Sequence, residues 1–149
     1  TRDQYLADRP DDTALVNRLG GGLKFLGRVP HAEALRELSA TDYALFFRRN
    51  DRVANTGFAT KYVEAASLGI PVVTNPTSDI DRYLTDGHNG FLAPDLAASA
   101  IAEVLRRAAS LDDADLLAMK SVCAASNPFD IPHWQAPARA FLDALRPVR

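Results

Sequence analysis

The chain has 149 residues, 47% of them apolar and 24% charged, with a formal net charge of −2. That is one domain's worth of chain with enough apolar residues for a core. It lacks the basic surplus of a nucleic-acid binder and any apolar run of the ~18 residues that a membrane helix needs. Cys123 is the single cysteine; it makes neither an internal disulfide nor a zinc site alone, which suits a reducing cytoplasm. No signal peptide is visible, and a start at Thr1 without Met reads as an excised fragment.

Residues 1–19 read as helical, interrupted at Pro10, with an N-cap among Asp11 to Thr13 and apolar positions at Leu15, Val16 and Leu19. Gly20-Gly21-Gly22 follows a helix rather than preceding one, so it reads as a connection and not as a dinucleotide fingerprint. A first strand is expected at LKFL, residues 23–26, closed by Gly27-Arg28-Val29-Pro30. A short amphipathic helix carries Ala34, Leu35 and Leu38. Residues 43–47, YALFF, read as a second buried strand leading into a polar loop over 48–56. The stretch TGFATKYVEAASLGIPVVTN, residues 56–75, reads as loop, short helix, Gly turn and buried strand. Ala59, Tyr62, Val63 and Ala66 form the apolar stripe of that helix. Gly69 is its C-cap, and residues 71–74 are β-branched enough for a parallel strand covered on both faces. Ser78 or Asp79 is expected to cap a helix reaching Leu84. Asp86-Gly87 and Asn89-Gly90 mark turns before a last strand at 91–93. Ala97, Ala100, Ile101, Val104, Leu105 and Ala108 give a clean helical stripe. Ser110 to Asp113 forms an S-x-x-D cap for a helix through about Ala125. A closing helical segment, 127–149, carries Trp134, Phe141, Leu142 and Leu145, whose stripe reads as core packing. The pattern is α/β: one Rossmann-like domain or fragment over 1–149, an open parallel sheet with helices on both faces. Ligands of such sheets sit beyond the carboxyl ends of the strands. The loops 27–30, 48–56 and 75–79 are expected to converge there.

The helix after the 48–56 loop begins with Gly57, Phe58, Ala59, Thr60 and Lys61. Its first amides and its dipole offer an anion site, and Gly57 lets backbone approach a ligand. Arg48, Arg49 and Lys61 add charge suited to a diphosphate. The same arginines also read as solvated loop charges, and Lys61 as an i, i+3 partner of Glu64. Glu64 offers a carboxylate that accepts two hydrogen bonds, which is what a ribose diol presents. Asp79-Ile80-Asp81 has the form of a metal-binding pair but sits at an expected helix start, where capping accounts for the first acid. His31, His88 and His133 have no ligand spacing.

GFATKYVEAASLGIPVVTN followed by DRYLTDGHNGFL, with FLGRVP and TDYALFF before them, resembles the group 1 (family 4) glycosyltransferases of the GT-B type. The match covers roughly residues 23–109, and FDIPHW resembles the family's closing segment. The resemblance implies the C-terminal, donor-binding half of a retaining enzyme that moves a hexose from a nucleoside diphosphate sugar to an acceptor hydroxyl. A polysaccharide-assembly branch of bacterial transferases carries the same GFxTK version. Glu64 matches the second acid of the family's paired-acid motif, which holds the donor ribose. Gly57 and Phe58 match the pair that lies against the sugar and phosphates, and Gly27, Arg28 and Val29 match a loop lining the base pocket. Thr56 stands where the motif has its first acid, so Thr56 or Asn55 would give the donor sugar a neutral hydrogen bond. The resemblance implies no cofactor and no metal. It implies an absent N-terminal acceptor-binding domain, to which peripheral membrane attachment would belong, and absent first strands of the donor domain. The fragment alone is then expected to be inactive. Two other readings stay open: a nucleotide-sugar epimerase of the same architecture, and a non-catalytic nucleotide-binding or interaction module.

Overall fold

A computed structural model describes residues 1–145. The chain divides into two compact units, Thr1–Glu37 and a second one starting at Leu38. In the first, α1 (Arg2–Asp8) is closed at its start by a capping box between Thr1 and Gln4. A 3-10 turn at Pro10–Asp12 precedes α2 (Thr13–Leu19), and Gly20–Gly22 forms a second such turn. The cap expected among residues 11–13 is absent: Asp12 precedes α2 without a side-chain bond, and the Thr13 hydroxyl donates to the Pro10 carbonyl. Residues 23–26 are not a strand. Their apolar groups pack locally instead, Phe25 lying 5.3 Å from the Tyr5 ring, while Lys24 pairs with Glu37 at 2.9 Å. Three apolar residues around one lysine are equally satisfied by a helix neighbour or a sheet neighbour, and no strand among the described residues pairs with them. Most of α3 (His31–Ser39) also belongs to this unit.

The second unit is the α/β body. Its sheet has three parallel strands among the described residues, in the order β1 (Ala44–Leu45), β2 (Val72–Thr74), β3 (Gly90–Leu92). β2 is central and wholly buried, and its alternating side chains feed two cores. Val72 joins Ala59, Tyr62, Ala65, Ala66, Ile70, Ile80 and Leu84. Val73 joins Phe91, Ala93, Val104, Ala108 and Met119. Each such aliphatic side chain contributes about 1.5–3 kcal/mol when removed from water, so a three-residue strand suffices to join both layers. The first core is covered by α5 (Thr60–Ser67), which follows a short α4 (Arg52–Asn55). The second is covered by α6 (Ala98–Ala109) and α7 (Asp113–Ala125). The fold is thus Rossmann-like, as the alternation of elements implied.

The end of α5 follows its expected punctuation. Gly69 takes φ 70, its N–H reaches the Ala66 carbonyl, and the Ile70 N–H reaches Ala65, a Schellman closure. Other caps differ from expectation. Asp112, not Ser110, caps α7 by accepting from the Asp115 N–H at 2.9 Å; the Ser110 hydroxyl donates to the Arg107 carbonyl. The helix expected through Leu84 is one 3-10 turn, Ile80–Arg82, with no side-chain cap. The last helix, α8 (Ile131–Ala144), carries Pro137 inside it. Its apolar stripe is not core: Trp134 is 50% exposed and Phe141 64%. Of the closing segment, residues 146–149 lie outside the described residues. Among the described residues no helix is long and apolar enough to cross a membrane.

Cys123 on α7 is buried, and its thiol donates to the Asn89 carbonyl at 3.2 Å. Burial pushes this thiol up to about 11, and burial likewise pushes the Tyr62 hydroxyl up to about 12. Both groups are neutral when protonated and hold the proton more tightly folded than unfolded. Their contribution to stability is therefore complete below the ordinary thiol value of 9.0 and is lost as the pH rises through 9 towards 12. The melting temperature is expected to fall over that window, and to fall less between pH 9 and 11 in Cys123→Ala. An equal fall in both proteins would contradict the buried, protonated thiol.

Candidate functional site

β1 and β2 run parallel, so their carboxyl ends lie on one edge of the sheet. The two loops leaving that edge are bound together by side chains. Asn75, which follows β2, is 2% exposed. Its amide accepts from the Arg48 N–H at 2.9 Å and donates to the Arg48 carbonyl at 2.8 Å. The side chain thus imitates one more pair of ladder bonds beyond the last paired residues. Asp51 caps α4 by accepting from the Ala54 N–H at 2.8 Å. The 48–56 segment is therefore an ordered turn and short helix rather than a loose polar loop.

A cleft of about 240 Å³ opens at this edge, lined by Phe46, Phe47 and Arg48 after β1 and by Phe58, Ala59, Thr60 and Lys61 at the start of α5. Ala59 is the N-cap residue of α5, and no side chain caps the helix. The Thr60 and Lys61 amides find no hydrogen-bond acceptor among the described residues. The cleft therefore presents unsatisfied N–H groups, the positive end of a helix dipole and two cationic side chains, with aromatic walls. No carboxylate is among its lining residues. The arrangement can hold a compact polyanion carrying a flat or apolar substituent.

Five of the residues read from sequence as diphosphate contacts thus meet in one place: Arg48, Phe58, Ala59, Thr60 and Lys61. Gly57 precedes them without lining the cleft, and a Cβ there would meet nothing within 4 Å. Glu64 stands one turn further along α5, half-buried and outside the lining. Asn55 is engaged at both ends of its amide, accepting from the Ser78 N–H at 2.9 Å and donating to Asn50 at 2.7 Å. The Thr56 hydroxyl donates to the Val53 carbonyl at 2.9 Å. Gly27, Arg28 and Val29 belong to the first unit. There Gly27 adopts φ 67, Arg28 is exposed and Val29 half-buried. Lys61 forms no ion pair among the described residues, so the i, i+3 pair with Glu64 is not made. Asp79 pairs instead with Arg82 at 3.6 Å on the surface.

In sequence Phe58 reads as one of the pair that lies against the sugar and phosphates. Its ring also closes a cluster with Tyr62, Tyr83 and Phe129, at centroid distances of 6.1, 5.4 and 5.5 Å. The i, i+4 spacing of Phe58 and Tyr62 was the available signal. The cluster fastens the entrance of α5, so the first-turn amides are held by packing as well as by the helix. Such edge-on and tilted aromatic pairs are worth about 0.5–1.5 kcal/mol each beyond their burial.

A family model described as glycosyl transferases group 1 matches residues 5–110, which include every residue of the cleft. No curated protein matches the sequence.

Proposed function

The chain belongs to the glycosyl transferase group 1 family, and we propose that it is the donor-binding domain of a GT-B enzyme that transfers a hexose with retention. Membership makes it a glycosyltransferase domain, whose chemistry requires a nucleotide-sugar donor and an acceptor. The donor proposed is a nucleoside diphosphate sugar, the acceptor a hydroxyl presented by an N-terminal domain, and the setting cytoplasmic polysaccharide assembly in a bacterium. Any peripheral membrane contact would belong to that other domain.

One observation carries the reading: the cleft at the start of α5 combines Arg48, Lys61 and an uncapped helix end. When the glycosidic bond to the donor breaks, negative charge accumulates on the leaving diphosphate. Fixed amides and cations placed at that point stabilise the charge without reorganising, and they do so without a metal. Glu64, further along the same helix, takes the ribose hydroxyls, and Thr56 and Asn55 serve the donor sugar.

Glu64→Ala tests the ribose assignment. Losing hydrogen bonds to a charged acceptor costs about 1.5–3 kcal/mol. The Kd of the full-length protein for UDP or GDP is therefore expected to rise about tenfold or more, with inorganic pyrophosphate bound as before. Unchanged nucleotide affinity would remove Glu64 from the site. A second reading, a non-catalytic nucleotide-binding module, is favoured by Thr56 in the place of an acid and by the cleft's lack of a lining carboxylate. Full-length protein that binds donor yet neither hydrolyses nor transfers the sugar would select it.

A further inference from the structure

Ser78 and Asp79 are the two non-glycine residues with left-handed backbone among the described residues, at φ 57 and 59. Backbone of this kind persists only where the surroundings hold it. Asp79 is exposed, but Ser78 is 7% exposed, and its N–H and its hydroxyl are both used. Its N–H donates to the Asn55 amide oxygen at 2.9 Å. Its hydroxyl donates to the Ala54 carbonyl and accepts from Arg48 Nη1, the latter at 2.8 Å. With its proton committed to a carbonyl, the hydroxyl is a fixed acceptor, and the guanidinium is what it accepts from.

Arg48 is half-buried, lines the cleft, and makes no other side-chain hydrogen bond and no ion pair among the described residues. Its backbone is clamped separately by Asn75. A half-buried cation with a neutral anchor and no carboxylate keeps its full charge and most of its donors for a ligand. We infer that Ser78 is a positioning residue, whose hydroxyl holds the Arg48 guanidinium at the cleft so that it meets the phosphates of the donor already oriented. This rests on the donor-site reading above and adds a residue outside the cleft lining, on the loop after β2.

The test is calorimetric titration of the full-length protein with inorganic pyrophosphate and with UDP and GDP, using Arg48→Ala, Ser78→Gly, Ser78→Ala and the double variant Arg48→Ala/Ser78→Gly. Glycine accepts the left-handed backbone, so Ser78→Gly removes the hydroxyl without straining the turn. Each single variant is expected to weaken pyrophosphate binding by about tenfold. The double variant is expected to bind no more weakly than Arg48→Ala alone, because the hydroxyl acts only through the guanidinium. A purely structural serine would give losses that add in the double variant. The inference is overturned if folded Ser78→Gly, shown by a cooperative melt, binds pyrophosphate as wild type does, or if the losses add. It is overturned also if the wild-type protein binds neither pyrophosphate nor nucleotide. Coupled losses for pyrophosphate with no affinity for UDP or GDP would uphold the anchoring of Arg48 while removing the nucleotide-donor reading.

Discussion

Gly90→Ala is expected to destabilise the sheet severely. Gly90 opens β3 opposite Val72 and takes φ 155, which L side chains rarely adopt. A Cβ there would lie 2.4 Å from the Val72 carbonyl oxygen, with the Val72 nitrogen and Leu84 Cδ1 each at 3.1 Å. Two of these three atoms are backbone of the central strand, so they give way only if the β2–β3 ladder moves. Overpacking of ordinary cores costs about 1–3 kcal/mol, and here the obstacle is a strand held between two cores. The expected loss is about 4 kcal/mol or more, a large part of the ~5–15 kcal/mol that holds a typical domain together. Urea denaturation of wild type and variant measures it. Gly57→Ala is the contrast: no atom lies within 4 Å of its would-be Cβ, so its midpoint is expected to be unchanged. Equal midpoints for Gly90→Ala and wild type would mean that β3 does not approach β2 as described.

Lys61→Ala is expected to weaken nucleoside diphosphate binding about ten- to a hundredfold while leaving the fold as stable or slightly more so. Lys61 is exposed in the first turn of α5, which contains no acid. A cation at a helix N-terminus opposes the dipole at a cost of about 0.3–1 kcal/mol, and no ion pair among the described residues offsets it. An anionic ligand at the same amides reverses the sign of that interaction. Loss of one charge-assisted hydrogen bond to phosphate, about 1.5–3 kcal/mol, gives the stated range of affinity. Titration with UDP and GDP, alongside a thermal melt, reads both effects. Retained affinity with a lowered melting temperature would make Lys61 a structural residue and exclude it from the site.

The legible part of the fold was the part governed by local pattern. VVT between Gly69 and Asn75 announced a doubly covered strand, and the helical stripes of α5 and α6 announced what covers it. The cleft at the start of α5 was legible for the same reason, since GFATK lies where a loop becomes a helix. What failed was set by long-range choice. LKFL has the composition of a strand, yet Phe25 found Tyr5 and not a ladder. Ser78 has the composition of a cap, but its hydroxyl is spent on residues 24 and 30 positions earlier in the chain. The exposed stripe of α8 has the periodicity of a core helix, and periodicity alone does not say what covers it. Asn75 reads in sequence as the first loop residue, whereas it extends the pairing of β1 and β2 with its side chain.

The central claim is that the start of α5 holds the donor's diphosphate. Amide resonances of the isotopically labelled full-length protein, followed during titration with UDP or GDP, test it most directly. The claim predicts that Ala59, Thr60 and Lys61 shift furthest, joined by Arg48, and that these shifts vanish when the nucleoside replaces the diphosphate. Saturable binding that leaves those four amides unmoved would contradict it.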